Sequence, residues 1–268
     1  MALPADAHIG QVSLTVRDLE RSLSFYGDVL GFVEFSTKQG IDSSAVRLGP
    51  PGGRVLIELH EQRDAIAKPR RSTGLFHFAI LVPSRAALGR ALRRLAEKRW
   101  PMSGAADHLV SEALYLDDPD GLGIEIYRDR PRASWQSLGN GEIAMATDPL
   151  DLQSLHDEPG AESLWQGLDA GTVMGHVHLH VPHLDTAEAF YCGGIGFEPT
   201  LRRYPGALFV AAGGYHHHVG LNTWIGVGAP PPPDNAVGLR AFTIESRAVQ
   251  PQNVQDEATR VTVSLLAT

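Results

Sequence analysis

The sequence predicts an α+β protein built from four strand–helix–three-strand (βαβββ) units, the last of which is truncated. Residues 10–32 and 175–197 align without a gap, with identities such as Tyr26/Tyr191 and Gly31/Gly196. A second related pair follows in each copy, GLFHFAI from Gly74 and GLRAFTI from Gly238. All of these segments open with the alternating pattern of a strand. The chain is therefore an internal duplication, and each copy contains two related units.

The first unit begins with a strand that places Val12, Leu14 and Val16 on one face. Asp18 supplies a helix start, and Gly31 ends the helix that follows. The alternation after the helix predicts two further strands at Ala45–Leu48 and Val55–Leu59, with a turn at Pro50–Gly53 between them. The third unit, which opens at Gly175, repeats this plan.

The second unit has a strand, a helix capped by Ser84 and two strands around a tight turn. Its predicted elements are strand Phe76–Leu81, the helix through Lys98, strand Ala113–Leu116, the turn Asp118–Gly121 and strand Gly123–Tyr127. The fourth unit spans only residues 238–268 and lacks an amphipathic helix, so it offers two strands, Leu239–Ile244 and Val261–Leu266. We expect unpaired strand edges there, and the apolar stretch VTVSLL could recruit a second copy to form a homodimer.

Composition excludes several classes of protein. The formal net charge of −8 and the lack of a basic stripe argue against nucleic-acid binding. A single cysteine excludes a disulfide framework and a thiolate metal site. No apolar run approaches the length of a membrane span, so we expect a cytoplasmic protein.

Two segments carry a family resemblance. VRDLERSLSFYGDVLGF and DDPDGLGIEIY resemble the vicinal oxygen chelate superfamily, which includes glyoxalase I, fosfomycin and bleomycin resistance proteins, and extradiol ring-cleaving dioxygenases. DHLVSEALYLDDPDGLGIEIYRDRP and GGYHHHVGLNTW are most similar to the two-barrel catechol 2,3-dioxygenase type. The resemblance implies that paired units curl into half-open barrels around a divalent metal. We therefore expect an N-terminal barrel at residues 1–132, a linker at 133–172 and an incomplete C-terminal barrel at 173–268.

The resemblance also implies metal ligands. They would come from the first strand of the odd unit and the first and last strands of the even unit, with a fourth from the last odd strand in glyoxalase I. In the expected N-terminal barrel these positions hold Gln11, Glu58, His77 and Glu125. This donor set suits Fe²⁺, Mn²⁺, Zn²⁺ or Ni²⁺ and resembles the glyoxalase I pattern more than the two-histidine, one-carboxylate triad of ring-cleaving dioxygenases.

The expected C-terminal barrel retains fewer ligands. His176 occupies its first-strand position, but Ala241 stands where His77 stands in the second unit, and the final carboxylate is absent. We therefore expect no ring cleavage by that barrel. A cluster of His176, His178, His180 and His217 could still capture a metal adventitiously.

Further residues have roles implied by the resemblance. His217 or His218 matches the strand that carries an acid/base histidine, and Tyr115 matches an active-site tyrosine, with a barrel-lining aromatic as the alternative. Three functions stay open: a ring-cleaving dioxygenase, a glyoxalase-type lyase or isomerase that uses the N-terminal barrel, and a non-catalytic small-molecule binding or resistance protein.

Overall fold

The computed structural model describes residues 2–36 and 45–268 and confirms the α+β fold with four related units. The first unit comprises β1 (His8–Val16), α1 (Leu19–Ser24), β2 (Val33–Glu34), β3 (Val46–Gly49) and β4 (Ile57–Glu61). The second comprises β5 (Gly74–Leu81), α2 (Arg85–Lys98), β6 (Met102–Asp107), β7 (Ser111–Asp117) and β8 (Gly123–Asp129). A connecting segment then carries β9 (Ser137–Gly139), β10 (Glu142–Ile143), β11 (Asp148–Pro149) and α3 (Leu152–His156).

The second half of the chain repeats the order. The third unit comprises β12 (Val173–His180), α4 (Leu184–Glu188), β13 (Glu198–Leu201), β14 (Ala207–Ala211) and β15 (Val219–Asn222). The fourth comprises β16 (Gly238–Ser246), β17 (Gln252–Asp256) and β18 (Val261–Ala267), without a helix. Both α1 and α4 continue into a π-helical turn, at Phe25–Val29 and Ala189–Ile195.

Local sequence explains where the helices begin and end. The Asp18 side chain accepts a hydrogen bond from the backbone N–H of Arg21, and the Ser84 side chain accepts one from Ala87, so both predicted caps form. The π-helical turn after α4 ends at Gly196, whose φ of 103° lies in the left-handed region that glycine tolerates best. Among the described helices, none combines the length and apolar character that crossing a bilayer requires.

The sheets join units from opposite halves of the chain. Of the two large sheets, one has seven strands in the order β17-β18-β16-β1-β4-β3-β2, and the other has nine in the order β11-β6-β7-β8-β5-β12-β15-β14-β13; β9 and β10 form a separate pair. The junctions are the antiparallel pairs β1–β16 and β5–β12. The first unit therefore shares a sheet with the fourth, and the second with the third. This corrects the expectation of separate barrels at 1–132 and 173–268. The error arose because all four first strands carry the same alternating pattern, which does not specify a partner.

The truncated unit is more complete than predicted. It has a third strand, β17, and its stretch VTVSLL forms β18, which lies between β16 and β17. The described edge strand is therefore the polar β17, with the sequence QNVQD. Because β18 is paired on both sides, the argument that VTVSLL recruits a partner chain is wrong, and the homodimer stays a prediction without that support.

Candidate metal centre

Three buried side chains converge inside the nine-stranded sheet: His77 on β5, Glu125 on β8 and His176 on β12. Nε2 of His77 lies 3.0 Å from Oε2 of Glu125, and Nε2 of His176 lies 3.1 Å from the same oxygen. Their residues are 5%, 2% and 1% exposed. Within the described ranges, this is the one group of three such side chains with metal-binding spacing.

Strand register brings the three together. β5 lies between β8, which is parallel to it, and β12, which is antiparallel. Ala79 of β5 pairs with Glu125 on one side and with His176 on the other. His77 lies two residues before Ala79 on the same face of β5, because side chains alternate along a strand. The methyl group of Ala79 leaves the space between the donors open.

Burial and the neighbouring side chains set the protonation states of His176 and Glu125. Burial lowers the pKa of His176 to about 4 against the opposing effect of Glu125, so the imidazole is neutral at pH 7. Burial alone would raise the pKa of Glu125, but His176 and His77 outweigh it and hold that pKa well below its usual range. Neutral imidazole and ionised carboxylate are the forms that bind a divalent metal. Two histidines and one carboxylate with open positions are typical of non-haem Fe²⁺ sites.

The predicted quartet does not come together. Gln11 and Glu58 line a separate cavity inside the seven-stranded sheet, where the Glu58 carboxylate accepts a 2.6 Å hydrogen bond from Arg47. The structure instead groups His77 and Glu125 with His176, which the sequence placed in the other barrel. This corrects the expectation that the donors follow the glyoxalase I pattern, because the fourth ligand of that pattern would have been Glu58.

A cavity of about 580 Å³ opens beside the triad, a volume suited to a small organic ligand. Its walls include the aromatic side chains of Phe76, Tyr115, Phe209 and Trp224. The sequence analysis does not identify Phe76, Phe209 and Trp224 as cavity residues. Their local patterns do not show that the second and third units share one cavity. One feature of the sequence could have indicated that the second and third units share a site: a histidine occupies the first strand of both.

Of the two acid/base candidates, only His217 lines the cavity. Its ring centroid lies 4.1 Å from that of His176, and its Nδ1 lies 2.8 Å from Nδ1 of His216. His218 turns away from the cavity: its Nδ1 accepts a 3.2 Å hydrogen bond from the backbone N–H of Ala212, and its ring stacks on Phe197.

The broader histidine cluster does not form a site either. Nδ1 of His180 lies 2.6 Å from Oδ1 of Asn222 and is occupied by that contact. His178 lines the cavity, but it is not part of the group with metal-binding spacing.

Tyr115 lies at the cavity wall, with its ring 5.6 Å from that of His77. Its Oη lies 2.5 Å from Nε2 of His108, whose Nδ1 is 2.6 Å from the carbonyl oxygen of Ala146. Because a carbonyl only accepts, Nδ1 of His108 donates, and in a neutral imidazole Nε2 then accepts from the tyrosine hydroxyl. Burial, together with Glu125, raises the pKa of Tyr115 well above its usual value, so the phenol stays protonated.

The chain is similar to known proteins along most of its length. A family model described as the glyoxalase/bleomycin resistance protein/dioxygenase superfamily matches residues 8–126. A catechol-2,3-dioxygenase of Bacillus subtilis (strain 168) is 50% identical over 242 residues, which are 89% of this chain and 82% of that protein.

Solved structures show the same fold at low sequence identity. A protein of Bacillus subtilis that is provisionally named a dioxygenase superimposes with a TM-score of 0.62 at 12% identity, over 96% of this chain and 84% of that one. Glyoxalase I from Zea mays superimposes with a TM-score of 0.56 at 13% identity, over 98% of this chain and 92% of that one.

Proposed function

Because the chain belongs to the glyoxalase/bleomycin resistance protein/dioxygenase superfamily, we propose that it is an Fe²⁺-dependent dioxygenase that cleaves the ring of a catechol. The observation that carries this proposal is the convergence of His77, His176 and Glu125 beside an aromatic cavity. The name of the Bacillus subtilis relative, which is 50% identical, supports the same reaction and the same class of substrate.

His77, His176 and Glu125 would hold the metal through two nitrogens and one oxygen. When bound, the ion supplies Lewis-acid and one-electron chemistry that amino-acid side chains lack. The aromatic side chains of Phe76, Phe209 and Trp224 present apolar faces to a planar ring.

Two side chains are positioned to handle protons. His217 lines the cavity next to His176 and acts as the base that accepts a proton from a substrate hydroxyl. Tyr115 keeps its proton and donates it in a hydrogen bond to His108, so its hydroxyl oxygen can accept a hydrogen bond from a hydroxyl group of the substrate. Both groups lie within the same cavity as the triad, so one bound ring can contact them together.

The test is an oxygen-uptake assay of purified protein, reconstituted anaerobically with Fe²⁺ and then mixed with catechol in air. We expect oxygen consumption together with the yellow ring-opened product. His77→Ala should lose most of the bound metal and the activity while it stays folded, because one of three donors is removed. A wild-type protein that carries stoichiometric Fe²⁺ and leaves catechol and its substituted forms intact would contradict the proposed reaction. A protein that binds no metal above trace would favour the non-catalytic binding function.

A further inference from the structure

We infer that Asp129 and His216 are positioning residues that fix the tautomer of His217 and leave its Nε2 free to accept a proton. The tautomer follows from the hydrogen-bond geometry with His216 in its neutral form, and only its catalytic consequence rests on the proposed function. The three side chains form one connected chain: Asp129 ends β8, and His216 and His217 precede β15.

The first step concerns the outer nitrogen of His216. Its Nε2 lies 2.9 Å from Oδ1 of Asp129. The same carboxylate accepts a hydrogen bond from the Tyr215 hydroxyl, at 3.0 Å from Oδ2. An ionised carboxylate can only accept, so Nε2 of His216 carries a hydrogen and donates it.

The second step concerns the contact between the two rings. A neutral imidazole has one N–H, so Nδ1 of His216 presents a lone pair. This atom lies 2.8 Å from Nδ1 of His217, which must therefore carry the hydrogen of that bond. Nε2 of His217 is then unprotonated. Among the described residues, the His217 side chain makes its hydrogen bond through Nδ1, and the ring lines the cavity.

Packing prevents His216 from reversing this pattern by a ring flip. The residue is fully buried, and its ring is surrounded by the rings of Tyr215, Trp135 and Tyr127 at centroid distances of 4.1, 5.2 and 6.2 Å. A flip would place ring carbons against the Asp129 carboxylate and against Nδ1 of His217, so the buried His216 ring would lose both of its hydrogen bonds, which is costly. The orientation of His216 is therefore fixed, and with it the tautomer of His217.

The tautomer of His217 decides whether its Nε2 acts as a hydrogen-bond donor or as a proton acceptor toward the substrate. With the hydrogen held at Nδ1, His217 meets the substrate with a lone pair and can act as a base. In the other tautomer Nε2 would carry the hydrogen, and the same ring could not accept a proton at that atom. Holding an imidazole in its working tautomer is a recognised source of catalytic rate.

The direct test is ¹⁵N NMR of the imidazole nitrogens in protein loaded with Zn²⁺, a diamagnetic ion. In the wild type we expect His217 to be protonated at Nδ1. His216→Phe keeps a ring in the buried site but removes the acceptor, so the Nδ1–H population of His217 should fall. Tyr215→Phe is the matched control: it removes the other hydrogen bond to Asp129, keeps the His216 contact and should leave the tautomer unchanged. His217 protonated at Nε2 in the wild type would overturn the inference.

Kinetics test the catalytic consequence. His216→Phe should lower kcat by about tenfold or more, with KM within about threefold of wild type. The reason is that His217 in the wrong tautomer impairs proton transfer more than substrate binding. Asp129→Ala should act in the same direction. Asp129→Asn should recover part of the loss, since its amide oxygen can still accept from His216. Unchanged kcat in both His216→Phe and Asp129→Ala would refute the positioning role. A wild type without activity would refute the proposed function, yet the NMR result would still decide the tautomer.

Discussion

The two sheets are built on one plan and differ in a few side chains that face their cavities. In the nine-stranded sheet the first strands carry His77 and His176, and a last strand carries Glu125. In the seven-stranded sheet the corresponding positions hold Ala241, Gln11 and Ser264. The correspondence is one of register: Ala79 pairs with Glu125 across β5–β8, and Thr243 pairs with Ser264 across β16–β18. The strand pairing has been kept while the donors differ.

The junctions of the sheets show the same relation. At β5–β12 a β-bulge leaves Phe76 as the extra residue, and at β1–β16 a bulge leaves Arg240. Phe76 lines the aromatic cavity, whereas Arg240 lines the cavity of the seven-stranded sheet, which measures about 980 Å³. The comparison teaches that backbone pairing fixes the curled shape, while chemistry depends on a small number of lumen positions that can change without loss of the fold.

The largest expected effect is a difference in metal binding between variants of two glutamates, Glu125 on β8 and Glu58 on β4. Glu125→Ala should abolish stable metal binding, whereas Glu58→Ala should leave metal content at the wild-type level. Metal at a hundred times its Kd should stabilise wild type and Glu58→Ala by about 2.7 kcal/mol, because the ion binds the folded state. The same metal should leave Glu125→Ala unchanged. Thermal unfolding with and without Fe²⁺ measures this, and equal stabilisation of both variants would contradict the assignment of the site.

A second experiment asks whether the shared register is sufficient to rebuild a site. The combined substitutions Gln11→His, Ala241→His and Ser264→Glu place the triad donors at the corresponding positions of the seven-stranded sheet. We expect the bound metal to rise from one to two ions per chain by elemental analysis. A folded variant that still binds one ion would show that the two sheets differ in backbone geometry as well as in side chains.

A smaller effect is expected at two equivalent glycines in the first strands. A Cβ at Gly175 would lie 1.9 Å from Oη of Tyr127, whose ring is fully buried, so that Gly175→Ala should destabilise the fold by about 1–3 kcal/mol. A Cβ at Gly10 would lie 1.9 Å from Oε1 of Glu245 and 2.5 Å from Oγ1 of Thr243, and the carboxylate is the end of a longer side chain with more rotatable bonds than a tyrosine ring. Gly10→Ala should therefore cost less in urea unfolding, and the reverse order would contradict the argument.

The smallest effect concerns a pair of buried tyrosine–aspartate hydrogen bonds that both copies share. The hydroxyl of Tyr26 donates to Asp118, and that of Tyr191 donates to Asp256, at 3.2 and 3.1 Å. Burial raises the pKa of Asp118 to about 6 from 3.8, so the folded state binds its proton more tightly than the unfolded chain. The stabilisation is fully present below about pH 4 and is lost as pH rises through 6. Asp118→Asn should flatten this part of the stability curve, and an unchanged slope would contradict the assignment.

Local patterns predicted the units, their order and the helix caps, because a strand alternation or an N-cap depends on neighbouring residues. His77, Glu125 and His176 could each be chosen as ligand candidates from their strand positions. Their grouping could not be predicted, because nothing in the pattern of β5 indicates that its partner is β12. The contact of Asp129 with His216 could not be predicted for the same reason, because it joins β8 to a loop 87 positions away in the sequence.

The pairing of β1 with β16 also bears on how the chain acquires its structure during synthesis. β1 leaves the ribosome before the other described strands, yet its antiparallel partner spans residues 238–246, more than 220 positions later. Contacts between such distant segments form slowly, because the intervening chain must be ordered before they contribute. The nine-stranded sheet needs only residues 74 to 222 for its β5–β12 junction and flanking strands. The nine-stranded sheet, which carries the candidate metal donors, can therefore assemble before β16 is available to pair with β1.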